Sequence, residues 1–226
     1  MNNYEINSRR LEEVAVALDE LLDEVVFIGG CTTVLLVDKA ARFGVRQTDD
    51  VDAIINIATY VDYQRLSRTL RDKGFNEDID GPMCRWFLPN SRTKLDIMPT
   101  DKTVLGFGNR WYPKVIESSK TITLPNNLEI KHVTSSLFLA TKFEAFADRG
   151  KGDYFSRDLE DIIFVLENSA GLIQELVIQD QEIREYLAQQ AKELMNDKFF
   201  NLLPGLLENK HSIELVLQRL DDMARL

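Results

Sequence analysis

The first half of the chain alternates short apolar runs with polar turns, and the second half carries apolar residues at helical spacing. Runs rich in Val and Ile at 25–28 and 51–57 predict strands, the first of them buried, and the apolar run at 94–98 predicts another strand. Apolar residues three and four positions apart predict amphipathic helices over 7–24 and 60–73. We therefore expect strands and helices in alternation over this part of the chain.

The remaining pattern adds more strands and a series of helices. Residues 84–88 predict a strand joined to 94–98 by a Pro-Asn-Ser turn, and 121–124 with 128–131 flank a Pro-Asn-Asn turn and predict a hairpin. Residues 104–118 show no clear period. From residue 134 onward the spacing predicts helices over 134–148, 156–168, 171–177, 180–197 and 211–225, with breaks at 150–152 and 204–205. The pattern favours an α+β fold, with an α/β domain with a mixed sheet over 1–133 and a helical domain over 134–226.

The order of elements between residues 25 and 57 is typical of a phosphate-binding turn. A short strand leads into Gly29-Gly30, a helix follows, and the next strand begins with Asp50 and Asp52. Glycine lets the backbone approach phosphate oxygens, and N–H groups at the start of a helix bind them. The alternative interpretation of the glycine pair is a plain strand-to-helix turn.

Three aspartates predict a divalent-metal site. Asp50 and Asp52 are two residues apart in a strand and so point to the same face, where two carboxylates repel unless a cation lies between them. Mg²⁺ suits this position, since it binds one or two carboxylates together with substrate phosphates. Asp96, in the apolar run KLDIM, is a candidate third acid that would complete a two-metal site for phosphoryl transfer. The alternative is that Asp49-Asp50 form a solvated turn and Asp52 is an exposed strand residue.

Lys142 lies in a predicted helix among apolar neighbours. The residues three and four positions away are Phe138, Leu139, Ala145 and Phe146. A lysine in apolar surroundings needs an anionic partner, such as a nucleotide phosphate, unless its ammonium group reaches water. Both interpretations are compatible with the spacing.

Asp158 and Asp161 share one face of the following predicted helix. The apolar residues after Asp161 place its carboxylate near the buried side, where it needs a partner. Arg149, Lys151 and Arg157 surround the intervening glycine loop and are candidates for that partner or for binding phosphate. A purely structural Arg157–Asp161 pair is the alternative.

Composition restricts the classes of function. The 226 residues include 37 acidic and 27 basic side chains, a net charge of −10, which lowers the expectation of a nucleic-acid substrate because phosphate-backbone binding favours a basic surface. Two cysteines and two histidines without metal-type spacing argue against disulfides and zinc. The N-terminus lacks the apolar core of a signal peptide, and no run approaches the ~20 apolar residues of a membrane span, so we expect a cytoplasmic protein.

Two linked motifs resemble a known family. The sequence IGGCT, followed by RQTDDVD over 46–52, resembles the GG/GS…DxD motif of the polymerase-β-like nucleotidyltransferase superfamily. The segment from Lys142 to Asp161 resembles the later motif of the AbiEii/AbiGii-type nucleotidyltransferase toxins. The two motifs together span about residues 25–166.

The resemblance implies a minimal nucleotidyltransferase core in which the C-terminal helical domain completes the active site. Such a protein would bind an NTP with Mg²⁺ and transfer a nucleoside monophosphate to RNA such as tRNA, or to a protein. It would act as a toxin of a toxin–antitoxin or phage-defence system, with a cognate antitoxin as a further partner. No membrane is implied.

The resemblance also assigns roles to individual residues. The nucleotide would be bound by Gly29, Gly30, Cys31, Thr32, Arg46, Lys142, Asp158 and Asp161. Asp50, Asp52 and Asp96 would be the metal ligands and, with Lys142, the catalytic residues. Cys31 stands where many members have the serine of Gly-Ser, so a hydroxyl contact to phosphate is missing unless Thr32 supplies it.

Two other functions remain open from the sequence. A small-molecule nucleotidyltransferase of the aminoglycoside-modifying kind would use the same motifs, and an acidic groove would suit a cationic acceptor. A catalytically silent nucleotide-binding module is the alternative outside enzymes.

Overall fold

Strands occupy the first part of the chain and helices the second, in a computed structural model that describes residues 1–148, 153–207 and 209–226. Within those residues the strands are β1 Val25–Ile28, β2 Asp50–Ile55, β3 Asn76–Glu77, β4 Arg85–Phe87, β5 Lys94–Pro99, β6 Lys120–Thr123 and β7 Glu129–His132. The α-helices are α1 Asn3–Leu18, α2 Thr33–Leu36, α3 Tyr60–Asp72, α4 Tyr112–Glu117, α5 Ser135–Asp148, α6 Arg157–Asn168, α7 Leu172–Val177, α8 Gln181–Leu194, α9 Asp197–Leu206 and α10 Lys210–Ala224.

The strands form one mixed sheet in the order β3-β4-β5-β2-β1-β7-β6. β2 runs antiparallel to β1 and parallel to β5, and the parallel pairing requires the crossover that α3 provides. The central strands are almost fully buried, which explains why their sequences are near-continuous apolar runs. Asp52 is opposite Ile28 on one side and Asp96 on the other. The sheet therefore brings two of the predicted acids onto adjacent strands.

The chain divides into two compact units. The first comprises residues 1–35 and 42–134, and the second comprises 36–41 and 135–226. Inside the second unit, the backbone N–H of Asp38 donates to the carbonyl of Asn168 at 3.0 Å. The short segment 36–41, which the sequence pattern assigns to the first domain, thus groups with the helical unit.

The α+β class with a mixed sheet and a C-terminal helical region is confirmed, while several element boundaries differ. The first helix ends at Leu18, and residues Asp19–Glu24 form a 3-10 helix. Residues 104–118, without an expectation from sequence, contain α4, whose first turn carries a proline. The predicted break at 204–205 is wrong, because Pro204 lies inside α9. The predicted break at 150–152 falls outside the described residues.

Over residues 1–148, 153–207 and 209–226, no helix has both the length and the apolar character needed to cross a bilayer.

Candidate active site

The Gly29-Gly30 turn is built around a backbone conformation and a close approach that both require glycine. Gly29 has φ +75° and ψ −172°, a region that side chains strongly disfavour. A Cβ atom at Gly29 would lie 2.6 Å from Cγ of Asp52. The turn is therefore in van der Waals contact with one of the predicted metal ligands.

Threonine hydroxyls hold the short helical turn that follows. The hydroxyl of Thr32 donates to the carbonyl of Gly29, and that of Thr33 donates to the carbonyl of Gly30, each at 2.7 Å. The Thr32 hydroxyl proton is thus used in a hydrogen bond within the turn. The prediction that this hydroxyl contacts phosphate remains untested.

Cys31 is turned towards the core. Its thiol is fully buried and donates to the backbone carbonyl of Asn7 at 3.4 Å. Burial raises the pKa of the Cys31 thiol to about 12, so the sulfur stays protonated. Any contact of Cys31 with a nucleotide would consequently involve its backbone and not its thiol.

Asn7 of α1 connects the glycine turn to the segment that leads into β2. Its side chain is fully buried, and its Nδ2 donates to the carbonyl of Arg46 at 2.8 Å. Its Oδ1 accepts from the backbone N–H of Thr48 at 3.2 Å. Together with the Cys31 contact, these bonds fix the spacing between the phosphate-type turn and Asp50. Sequence reasoning missed Asn7, although an asparagine on the apolar side of a predicted helix was the available signal.

Arg46 lies in the loop just before β2, as the motif spacing requires. Its carbonyl accepts from Asn7, and its Nη1 donates to the carbonyl of Gln47 at 3.2 Å. The structure places the residue next to the strand that carries the acids. Its predicted role in binding nucleotide is not tested by these contacts.

The three acids occupy neighbouring positions on β2 and β5. Asp50 pairs in register with Lys94, and Asp52 pairs with Asp96. Asp50 and Asp52 are half-buried, whereas Asp96 is buried. The parallel register thus gathers the three acids at one region of the sheet.

Arg85 on β4 is the main residue of the site that sequence reasoning missed. Its Nε and Nη2 donate to the two carboxylate oxygens of Asp96 at 2.8 and 2.7 Å, and its Nη2 also contacts Oδ2 of Asp50 at 3.1 Å. The hydrogen bonds to Asp96 raise the pKa of Arg85 further above its usual value. The signal in the sequence was an arginine within the otherwise apolar run CRWFL.

Two of the three acids, Asp50 and Asp52, have the chemistry to bind a metal ion. Among the residues that the structure describes, no three His, Cys, Asp or Glu side chains are arranged to hold a metal ion. Asp50 and Asp52 supply the hard oxygen donors that Mg²⁺ prefers, and Mg²⁺ needs only one or two carboxylates when phosphates complete its shell. Asp96 is held by a guanidinium group. Its assignment as a third ligand stays a prediction.

The later motif forms a buried ion cluster in the second unit. Lys142 Nζ on α5 lies 3.0 Å from Oδ1 of Asp158 and 2.8 Å from Oδ2 of Asp161, both on α6. The side chains of Asp158 and Asp161 are only 7% and 5% exposed. Lys142 also lies 5.7 Å from the ring centroid of Phe138.

These contacts identify partners of Lys142 and Asp161, which the sequence spacing left open. Lys142 is one partner of Asp161, and Arg157 is exposed at the start of α6. Arg149 and Lys151, the other predicted partners, lie outside the described residues. The alternative in which Lys142 reaches water is wrong, because its ammonium group is buried between two carboxylates.

Comparison with known proteins gives a likeness at the level of structure. No family model and no curated protein matches the chain. The crystal structure of an antigenic nucleotidyltransferase-like protein from Paracoccidioides brasiliensis matches with a TM-score of 0.52 and 18% sequence identity, covering 91% of this chain and 94% of that chain. Identity this low bears on fold alone. The chain has the α+β fold of a nucleotidyltransferase-like protein.

Proposed function

We propose that the protein is a Mg²⁺-dependent nucleotidyltransferase that moves a nucleoside monophosphate from an NTP to an acceptor. The observation that carries the proposal is the contact between the Gly29 turn and Asp52, with Asp50 on the same strand. A turn that admits phosphates beside two carboxylates is an arrangement suited to a metal-bound triphosphate. The likeness in fold to a nucleotidyltransferase-like protein supports it.

The roles of the chain's own residues follow from their positions. Backbone groups of the Gly29-Gly30 turn would bind phosphate oxygens, and Asp50 and Asp52 would hold Mg²⁺, which supplies neutralisation of the triphosphate charge. An acceptor hydroxyl then bonds to the α-phosphorus, and the bond from that phosphorus to the bridging oxygen breaks to release pyrophosphate. The hydroxyl proton leaves to solvent or to a carboxylate of the site. Asp96 is held in place by two hydrogen bonds from Arg85, so its role would be to orient the acceptor hydroxyl.

Lys142 has a separate role in this proposal. Its contacts with Asp158 and Asp161 support a function in joining α5 to α6, and its predicted contact with phosphate remains to be tested. A nucleotide-binding assay on a Lys142 variant that is shown to be folded would separate the two roles.

The direct test is transfer of label from each NTP in the presence of Mg²⁺. Purified protein is incubated with α-labelled ATP, CTP, GTP or UTP and with total RNA or a protein extract. We expect label transfer by the wild-type chain and its loss in the Asp50→Asn/Asp52→Asn double variant. Asp49→Asn is the matched control, since Asp49 is exposed and adjacent to the same strand. Transfer that survives the double substitution would rule the mechanism out.

The net charge of −10 favours a second candidate acceptor, a cationic small molecule of the aminoglycoside class. A panel of such compounds in the same assay decides between this acceptor and RNA. A catalytically silent module would show no Mg²⁺-dependent NTP affinity in a nucleotide titration.

The narrower resemblance to AbiEii/AbiGii-type toxins predicts a cellular effect. If the chain is a toxin, overexpression should arrest growth, and the Asp50→Asn/Asp52→Asn variant should relieve the arrest. Unimpaired growth with wild-type protein, at a level where label transfer is detectable in lysate, would argue against that role.

A further inference from the structure

Arg85 lies beside Asp96 and Asp50. A metal cation would take this place if all three acids were metal ligands. Its guanidinium group makes a two-pronged contact with Asp96 and a third contact with Asp50. The Arg85 and Asp96 side chains are 21% and 11% exposed, so water screens this pair incompletely. The pairing register places Arg85 opposite Asp96, which in turn is opposite Asp52.

Arg85 supplies positive charge to two of the three acids, Asp50 and Asp96. A guanidinium group is always charged and matches a carboxylate with two parallel hydrogen bonds, so it competes well for Asp96. A divalent ion that approaches the free protein therefore competes with Arg85 for these two carboxylates.

We propose that Arg85 is a built-in counter-cation that keeps Asp96 out of the metal site, so that divalent metal binds weakly to the free protein and tightly only together with the nucleotide. The phosphates of the nucleotide then supply the oxygen ligands that Asp96 does not. This inference rests on the proposed function for the identity of the metal site. It assigns Arg85 as a positioning residue, since it acts through Asp96 and Asp50.

The test measures Mn²⁺ binding to the free protein by electron paramagnetic resonance, without any reaction. We expect Arg85→Gln to raise the affinity for Mn²⁺ at least tenfold, because Asp96 is released as a third ligand. Arg85→Lys keeps the positive charge and should stay within threefold of wild type. The double variant Arg85→Gln/Asp96→Asn should return to the wild-type affinity, since it lacks both the cation and the third acid.

Arg71→Gln is the matched control. Arg71 pairs with Glu77 and lies over the Trp86 ring, and neither contact involves the three acids, so its removal should leave the Mn²⁺ affinity unchanged. An Arg85→Gln variant with the wild-type affinity for Mn²⁺ overturns the inference.

A measurement on the wild-type chain keeps the inference testable if Arg85→Gln does not fold. In the presence of a non-hydrolysable NTP analogue, wild-type protein should bind Mn²⁺ at least ten times more tightly than the analogue alone binds it. Tight Mn²⁺ binding without nucleotide contradicts the role of Arg85. Failure of the analogue to bind at all, with or without metal, instead contradicts the proposed function.

Discussion

Gly29 carries two constraints in one residue, a positive φ and contact with the Asp52 side chain. Gly106 shares the first constraint, with φ +81°, but a Cβ there would meet nothing within 4 Å. Comparison of the two glycines therefore separates backbone strain from the steric effect of a methyl group on the acid.

We expect Gly29→Ala to destabilise the protein more than Gly106→Ala does, by about 1–3 kcal/mol, because the added methyl displaces Asp52 as well as straining the backbone. Urea unfolding of both variants measures the difference in free energy. The Gly29 variant should also lose label transfer, while the Gly106 variant keeps it. Equal losses of stability would show that Asp52 moves aside freely.

Residue types alone led to the glycine turn and to the acids, but not to Arg85. The signals for these residues are local. The Gly-Gly pair directly follows an apolar strand, and the two aspartates stand at the start of the next strand. The contact of Arg85 with Asp96 depends on the antiparallel register of β4 with β5, which the turn between them and the packing of Trp86 determine together. A one-residue shift would turn Arg85 to the opposite face.

At the scale of elements, α1 is joined to the site by Asn7, whose side chain and carbonyl bind two separate segments, the glycine turn and the loop before β2. We expect Asn7→Ala to lower the free energy of unfolding by about 1–3 kcal/mol for each buried group left without a partner. Ser8→Ala on the same helix is the control, and urea denaturation is the measurement. A loss no greater than that of the control would mean that water replaces the amide.

The pair α5–α6 depends on the Lys142 cluster in a similar way. We expect Lys142→Met to cost about 3–5 kcal/mol, since it removes the ammonium group that lies between two buried carboxylates. Adding Asp158→Asn and Asp161→Asn should recover a large part of that loss. Lys192→Met, on an exposed position of α8, is the control. If thermal unfolding of Lys142→Met matches the control, the cluster is not structural.

Most strands and helices were predictable because their apolar residues follow the period of the element that they form. β1 and β2 are Val- and Ile-rich, β5 has an apolar run of Leu, Ile and Met, and α3 and α6 have an apolar side at three- and four-residue spacing. The exception at α9 has a physical reason. Pro204 lies near the C-terminal end of that helix, and Phe199 and Leu203 are buried on one side, so packing maintains a helix that local propensity would end.

At the scale of the whole molecule, buried thiols link stability to pH. Burial raises the pKa of both Cys31 and Cys84 to about 12, and the charge of Asp96 adds to the shift at Cys84. In the unfolded chain these thiols titrate near about 8.5. The unfolded state therefore releases protons that the folded state retains, and the stability present below that pH falls as pH rises towards 12.

We expect the urea midpoint to decrease steadily between pH 7.5 and 9.5. The Cys31→Ala/Cys84→Ala variant is less stable at neutral pH because of the lost packing, but its midpoint should change less with pH. The slope, not the absolute midpoint, is the measurement. Equal slopes in the two proteins would place the alkaline sensitivity elsewhere.

The bond between Asp38 and Asn168 has a consequence for synthesis on the ribosome. Residues 36–41 emerge early, but the helices with which they group are translated more than ninety residues later, from residue 135 onward. During that interval the nascent chain must hold this segment without its hydrogen-bond partner. A chain truncated near residue 134 would lack the Asn168 carbonyl, so the Asp38 N–H would not form this hydrogen bond.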